Sequence, residues 1–212
     1  MNEAKIELVA HDAEFVGFPT SALCSTITAA AKVCTAQDVN PDELDKHKEF
    51  VRKLMQWGHW TPFEFVELTF YLTTTRAVAN ELVRHRLVSF MQESQRYVKF
   101  EEFLPVIMPA TIKGTLDEDL WRAHMRDAHD DYLFLLEQGY KPEDARTVLP
   151  MATATHLLCK VNLREFRHII DLRTALAAWS EMRILANEMA KAFVEQFPDE
   201  TFLIEDVWHK DE

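Results

Sequence analysis

The chain has 212 residues, 48% hydrophobic and 27% charged, with 23 Lys and Arg against 35 Asp and Glu for a formal net charge of -12. A chain of this length can bury a core within one domain, expected here to span 1–212. The acidity excludes general binding to nucleic acid or a membrane surface, because a polyanion meets net repulsion before any local patch can act.

Met1 to Lys5 carry no apolar signal core, and no run approaches the roughly eighteen apolar residues of a membrane span. Three cysteines, Cys24, Cys34 and Cys159, form no C-x-x-C pair, which predicts free thiols and a cytoplasmic location. Only four glycines occur, Gly17, Gly58, Gly114 and Gly139. Without G-x-G-x-x-G or G-x-x-x-x-G-K there is neither a Rossmann dinucleotide fold nor a P-loop, so any phosphate must be held by side chains and helix ends.

In chain order, Ile6, Leu8 and Ala10 alternate with polar residues over 5–10 and predict a strand. The Ala-rich stretch from Thr20 to about Cys34 predicts a helix. Asn40-Pro41-Asp42-Glu43 offers an N-cap and a proline at the first helical position for a second helix, which Gly58 ends. Pro62 is expected to push Thr61 out of the helical region and fix a turn. Val66, Leu68, Phe70 and Leu72 alternate with Glu67, Thr69, Tyr71 and Thr73 as a half-buried strand. Thr75 caps a short helix over 76–83.

Further along, Thr115 to Gln138 is the longest predicted helix, with Glu118 completing a capping box and Gly139 as its stop. Pro142 to Leu149 is a short helix, and residues 153–161 form a second central strand. Asn162-Leu163-Arg164-Glu165 is another capping box, opening a helix to Arg173; a last helix runs from about Ala177 to Phe197 and is broken by Pro198. The class is α+β, mostly helical with a small central antiparallel sheet.

One segment reverses the sign of the chain. Residues 84–97 hold three arginines, a histidine, two serines and a tyrosine, with one acidic side chain, Glu93. The planar guanidinium fork matches phosphate and carboxylate oxygens two at a time, so the segment predicts a site for a small phosphorylated molecule on a helix end and the loop after it. A bare Arg-His-Arg would be explained by basic residues complementing a helix C-terminus. The full spacing, Arg84-His85-Arg86, seven residues, Ser94, one residue, Arg96-Tyr97, resembles the signature of the flavin-dependent thymidylate synthases.

That resemblance extends over nearly the whole chain. His59, Thr61 and Pro62 match an H-x-T-P segment whose threonine touches flavin from a neighbouring subunit, and Arg146 matches a nucleotide-binding arginine. Asn162, Arg164 and His168 match flavin contacts, while Arg173 matches the arginine that activates the pyrimidine. It implies that Arg84, His85, Arg86 and Gln92 contact flavin adenine dinucleotide (FAD). Glu81, Arg84, Gln92, Glu93, Ser94, Arg96, Arg146 and Arg173 would bind deoxyuridine monophosphate (dUMP). Glu81 stands where the family has glutamine, Met91 where asparagine is common, and Trp179 where a glutamine is common. Asn162 is equally explained as a plain N-cap, and Arg164 and His168, four apart, as a solvated helix face.

The resemblance implies reductive methylation of dUMP to dTMP, with carbon from 5,10-methylenetetrahydrofolate and electrons from flavin re-reduced by NADPH, in a homotetramer with shared active sites. A hydroxymethylating relative is a near alternative. A non-catalytic nucleotide-binding module would keep the arginines without the flavin residues. His129-Asp130 suggests a helical metal-dependent phosphohydrolase, but no further ligands stand at recognisable spacing, and no metal is expected.

Overall fold

The computed structural model describes residues 4–16 and 22–210. In chain order the strands are β1 (Ile6–Leu8), β2 (Asp12–Phe15), β3 (Glu67–Thr75), β4 (Val88–Gln92), β5 (Leu104–Val106) and β6 (Ala154–Asn162). The helices are α1 (Leu23–Val33), α2 (Leu44–Gln56), α3 (Arg76–Leu82), α4 (Glu118–Glu137), α5 (Pro142–Ala145), α6 (Leu163–Thr174) and α7 (Ser180–Gln196). The fold is α+β, as expected. Four strands form a sheet in the order β2-β3-β6-β4, and β1 pairs with β5 in parallel, Ile6 against Leu104 and Leu8 against Val106, a pair the sequence did not reveal.

The chain divides into two compact units: Met1–Asp12, Leu72–Arg84 and Met91–Leu158 in the first, Ala13–Tyr71, His85–Phe90 and Cys159–Glu212 in the second. In the first unit, Phe100, Leu104, Val106, Tyr132, Leu133 and Ala145 form a core beneath α4. His129 belongs to this core. Its Nδ1 accepts from the Lys5 amide at 3.0 Å and its Nε2–H donates to the Phe100 carbonyl at 2.7 Å. Both ring nitrogens are engaged by backbone, so this histidine ties α4 to the strand layer and cannot also ligate a metal. The second unit is built on a row of aromatics. Phe70 stacks on Phe166 with ring centroids 5.2 Å apart, Phe193 lies 5.4 Å from Phe166, and Phe15 meets Phe70 and Phe197 edge-on. α6 packs its buried Phe166, Ile169 and Ile170 face towards α7.

The expected local elements form where the hydrogen-bond partner lies within the element. Leu68, Phe70 and Leu72 of β3 are fully buried while Glu67 and Tyr71 are exposed. Thr75 Oγ1 accepts the Val78 amide at 3.0 Å and starts α3, and Asn162 Oδ1 accepts the Glu165 amide at 2.9 Å and starts α6. Gly58, at φ +70°, follows α2 in a conformation an L side chain resists.

Several boundaries differ. Asn40 does not cap α2; its Oδ1 closes a local turn with the Asp42 amide, and the helix starts only at Leu44. Thr115 does not cap α4 either. Glu118 accepts the Gly114 amide, residues 115–117 form turns, and the helix begins at Glu118. Thr61 and Pro62 open a 3-10 helix, Thr61–Phe65, rather than a simple turn. The 142–149 helix splits into α5 and a 3-10 turn, Arg146–Val148. The expected loop after Arg84-His85-Arg86 contains β4, an edge strand of the four-stranded sheet. Thr20, the expected start of the first helix, lies outside the described residues. No helix of the described residues is long and apolar enough to cross a membrane.

Candidate active site

The first unit holds a cleft of about 320 Å³ lined by Arg76, Asn80, Gln95, Arg146, Thr147 and Met151 among others. Arg76, the first residue of α3, donates from Nη1 to the Glu93 carbonyl at 3.3 Å and to Thr155 Oγ1 at 3.4 Å. Burial lowers its pKa, and the neighbouring charge of Arg146 lowers it further against the opposing pull of Glu93. Arg146 is oriented by its Nε–H bond to the Glu143 carbonyl, 3.2 Å. No acidic side chain among the described residues lines the cleft. A half-buried guanidinium with a second one beside it forms a site whose electrostatics suit an anion.

Several expected residues border this region. Gln92 Nε2 donates to Thr155 Oγ1 at 3.4 Å, the same hydroxyl that Arg76 reaches. Ser94 shapes the turn, its Oγ accepting from the Arg96 amide and its carbonyl from the Tyr97 and Val98 amides. Arg96 is exposed and held by Glu143 at 3.0 Å. Glu81 and Glu93 are half-buried, and Arg84 is exposed. None of Ser94, Arg96, Glu81 or Arg84 lines the cleft itself. Sequence reasoning passed over Arg76, Asn80 and Gln95; the spacing of Arg76 and Asn80, four apart on α3, was the available signal.

A larger cleft, about 530 Å³, lies in the second unit around the start of α6, with Trp60, Glu64, Asn162, Arg164 and His168 among its lining residues. Arg164 Nη1 donates to Glu64 Oε1 at 2.6 Å, an exposed pair that can exchange partners. Arg167, by contrast, is structural: it is buried, bonded at two nitrogens to Asp206 and to the Leu203 carbonyl, and lies 4.7 Å over the Trp60 ring. His59 and Thr61 are exposed and line neither cleft; Arg86 is exposed as well.

Where α6 meets His85, the middle residue of the basic triplet, a partly buried constellation forms. His85, 7% exposed, places Nδ1 3.1 Å from Glu165 Oε1, and Arg173 Nε donates to His85 Nε2 at 3.2 Å. His168 meets the His85 ring edge-on at 5.8 Å. Burial pulls the His85 pKa below its ordinary value, with the Arg173 and His168 charges acting the same way and Glu165 opposing them. His85, Glu165 and His168 could bring three ligand atoms within 4.8 Å of one another. Both His85 nitrogens are already bonded, however, and a guanidinium stands beside them, which disfavours a cation there.

The family model described as thymidylate synthase complementing protein matches residues 20–199. A flavin-dependent thymidylate synthase of Geobacter sulfurreducens is 35% identical over 176 residues, 79% of this chain and 75% of that protein. Another, from Nitratidesulfovibrio vulgaris, is 32% identical over 212 residues, covering 93% of this chain and 85% of that protein. The chain belongs to the flavin-dependent thymidylate synthase family. It is therefore an enzyme of a flavin-using family. Among solved structures it is similar to a UMP/dUMP methylase, PolB, from Streptomyces cacaoi, bound with 5-Br UMP. That similarity has a TM-score of 0.76 at 26% identity over 95% of this chain and 97% of that one. The similarity spans both units, and the family match includes His59, Thr61, the basic triplet, Arg146 and the whole of α6.

Proposed function

We propose that the protein reductively methylates dUMP at C5 to give dTMP, with FAD as cofactor, 5,10-methylenetetrahydrofolate as carbon donor and NADPH as the source of electrons. The observation that carries this reading is the Arg76–Arg146 cleft, a two-guanidinium recess with no carboxylate among its described lining residues and of a size for a nucleotide phosphate. The family and the methylase-like fold supply the chemical context.

In this reading Arg76 and Arg146 hold the phosphate by charge-assisted bonds, with Ser94 and Arg96 from the adjoining turn and Arg84, Gln92, Glu93 and Glu81 completing nucleotide recognition. The second-unit cleft is assigned to part of a dinucleotide: Arg164, on exchanging Glu64 for the ligand, and the positive end of α6 would meet a diphosphate against the Glu64, Glu165 and Asp171 carboxylates that also line the cleft, and Trp60 offers an aromatic face. Asn162, Arg164, His168, His85 and Arg86 would hold FAD there, and Gln92 is proposed as a further flavin contact. When bound, reduced flavin supplies the electrons that convert the transferred one-carbon unit into a methyl group.

Arg173 acts on the pyrimidine. A fixed positive charge near N3 and its carbonyl favours the N3-deprotonated ring, which is richer in electron density at C5. At about 4 Å and an effective dielectric near 20 a unit charge contributes roughly 4 kcal/mol, about three pKa units. No nucleophilic cysteine is required: burial raises the pKa of both Cys24 and Cys159, the latter to about 12, so neither thiol is ionised at neutral pH.

The subunits are proposed to form a homotetramer in which His59 and Thr61, exposed on each chain, reach the flavin of a neighbour. Sedimentation velocity recorded in the visible flavin band tests cofactor and assembly together. Added FAD should sediment with a tetramer, and dUMP should perturb its spectrum. A monomer, or FAD that sediments alone, contradicts the reading.

A further inference from the structure

Glu165 entered the sequence as the second half of a capping box, in which its side chain would fold back on the Asn162 amide. Only half of that motif is made. Asn162 caps the Glu165 amide, but the Glu165 carboxylate turns to His85, eighty residues earlier in the chain. Its side chain is 12% exposed and that of His85 5%, so this hydrogen bond is shielded from water.

The proton positions follow from the partners. A guanidinium can only donate, so the His85 Nε2 facing Arg173 Nε must carry the lone pair, and the imidazole proton sits on Nδ1, facing the carboxylate. Glu165 and Arg173, eight residues or roughly two turns apart on α6, are thus joined through a neutral ring that both sides hold in one tautomer. A purely stabilising ion pair would join carboxylate and guanidinium directly, as Arg167 and Asp206 do from the same helix.

We propose that Glu165 is a positioning residue: it fixes the His85 tautomer and through it the orientation of the Arg173 guanidinium. This rests on the reading of Arg173 as the cation that acts on the pyrimidine. Acid breaks the arrangement, because a protonated His85 presents an N–H to the Arg173 N–H. Among the described residues, the charged and titratable groups that act on His85 are Glu165, Arg173 and His168, all on α6. Of these only Glu165 favours the protonated ring, so replacing its charge makes His85 harder to protonate.

The test compares Glu165→Ala and Glu165→Gln with the wild-type holoenzyme. Glu165→Ala is expected to lower kcat about tenfold or more at saturating FAD, with dUMP affinity changed less than about threefold, since the charge-assisted hydrogen bond that is lost borders the second-unit cleft and not the arginine cleft. Glu165→Gln, whose amide oxygen can still accept from Nδ1–H, should lose less, and the acid limb of its kcat profile should move to lower pH. Wild-type kcat in Glu165→Ala, or equal losses in both variants with an unmoved acid limb, would overturn the proposal. Nitrogen-15 spectra of the His85 ring give a readout independent of turnover: the wild type should show the Nδ1–H tautomer. An Nε2–H tautomer sinks the proposal whether or not dUMP is methylated, whereas the Nδ1–H tautomer without dUMP turnover would place the failure in the functional reading.

Discussion

At the scale of single residues, the two arginines in the first-unit cleft differ in how visible they were. Arg146 was legible through the family pattern around Ala145 and Leu149-Pro150, whereas Arg76 looked like an ordinary residue at the start of a helix. Its importance comes from Glu93, Thr155 and Arg146, which lie far along the chain and converge on it only in the folded unit. Arg76→Ala is expected to raise the KM for dUMP by about tenfold to a hundredfold, the cost of a charge-assisted hydrogen bond to phosphate, with a smaller effect on kcat. Steady-state kinetics at saturating FAD check this. An unchanged KM with a lowered kcat would assign Arg76 to the fold of β6 and α3 rather than to the ligand. Glu165 gives the same lesson in reverse, since the capping rule named its backbone partner correctly and its side-chain partner wrongly.

At the scale of elements, short-range rules succeeded when the hydrogen-bond partner was local. β3, β6, α3 and α6 could be read from alternation and from Thr75 and Asn162 as caps. Helix α1 shows why others could not be placed as well. Its N-cap position is Ala22, which offers no side-chain acceptor, and the Leu23 and Cys24 amides donate instead to Glu200 at 2.9 and 2.7 Å. That carboxylate is 4% exposed and lies in the 3-10 helix Pro198–Leu203. Glu200→Ala leaves two buried helix-end donors without their charged acceptor and is expected to lower unfolding stability by about 2 to 3 kcal/mol. Urea unfolding measures it, and a midpoint equal to that of the wild type would show that water replaces the carboxylate without cost. β4 escaped notice because Val88-Ser89-Phe90-Met91-Gln92 carries no fully buried residue, so its apolar pattern was weak.

At the scale of the whole molecule, the α+β class was legible from composition and periodicity, but the division into units was not. The chain passes between them five times, at 12/13, 71/72, 84/85, 90/91 and 158/159, and no linker composition marks any crossing. One of these crossings separates Arg84 from His85. The basic triplet that looked like a single anion site therefore contributes Arg84 to the unit with the arginine cleft, and His85 and Arg86 to the unit that contains Arg173. Methylation of dUMP is checked by the mass of the nucleotide formed when the purified protein is given dUMP, 5,10-methylenetetrahydrofolate, NADPH and FAD. The expected product is dTMP, formed only when all four are present; a hydroxymethylated nucleotide, or unaltered dUMP in a protein that holds flavin, would contradict the proposed reaction.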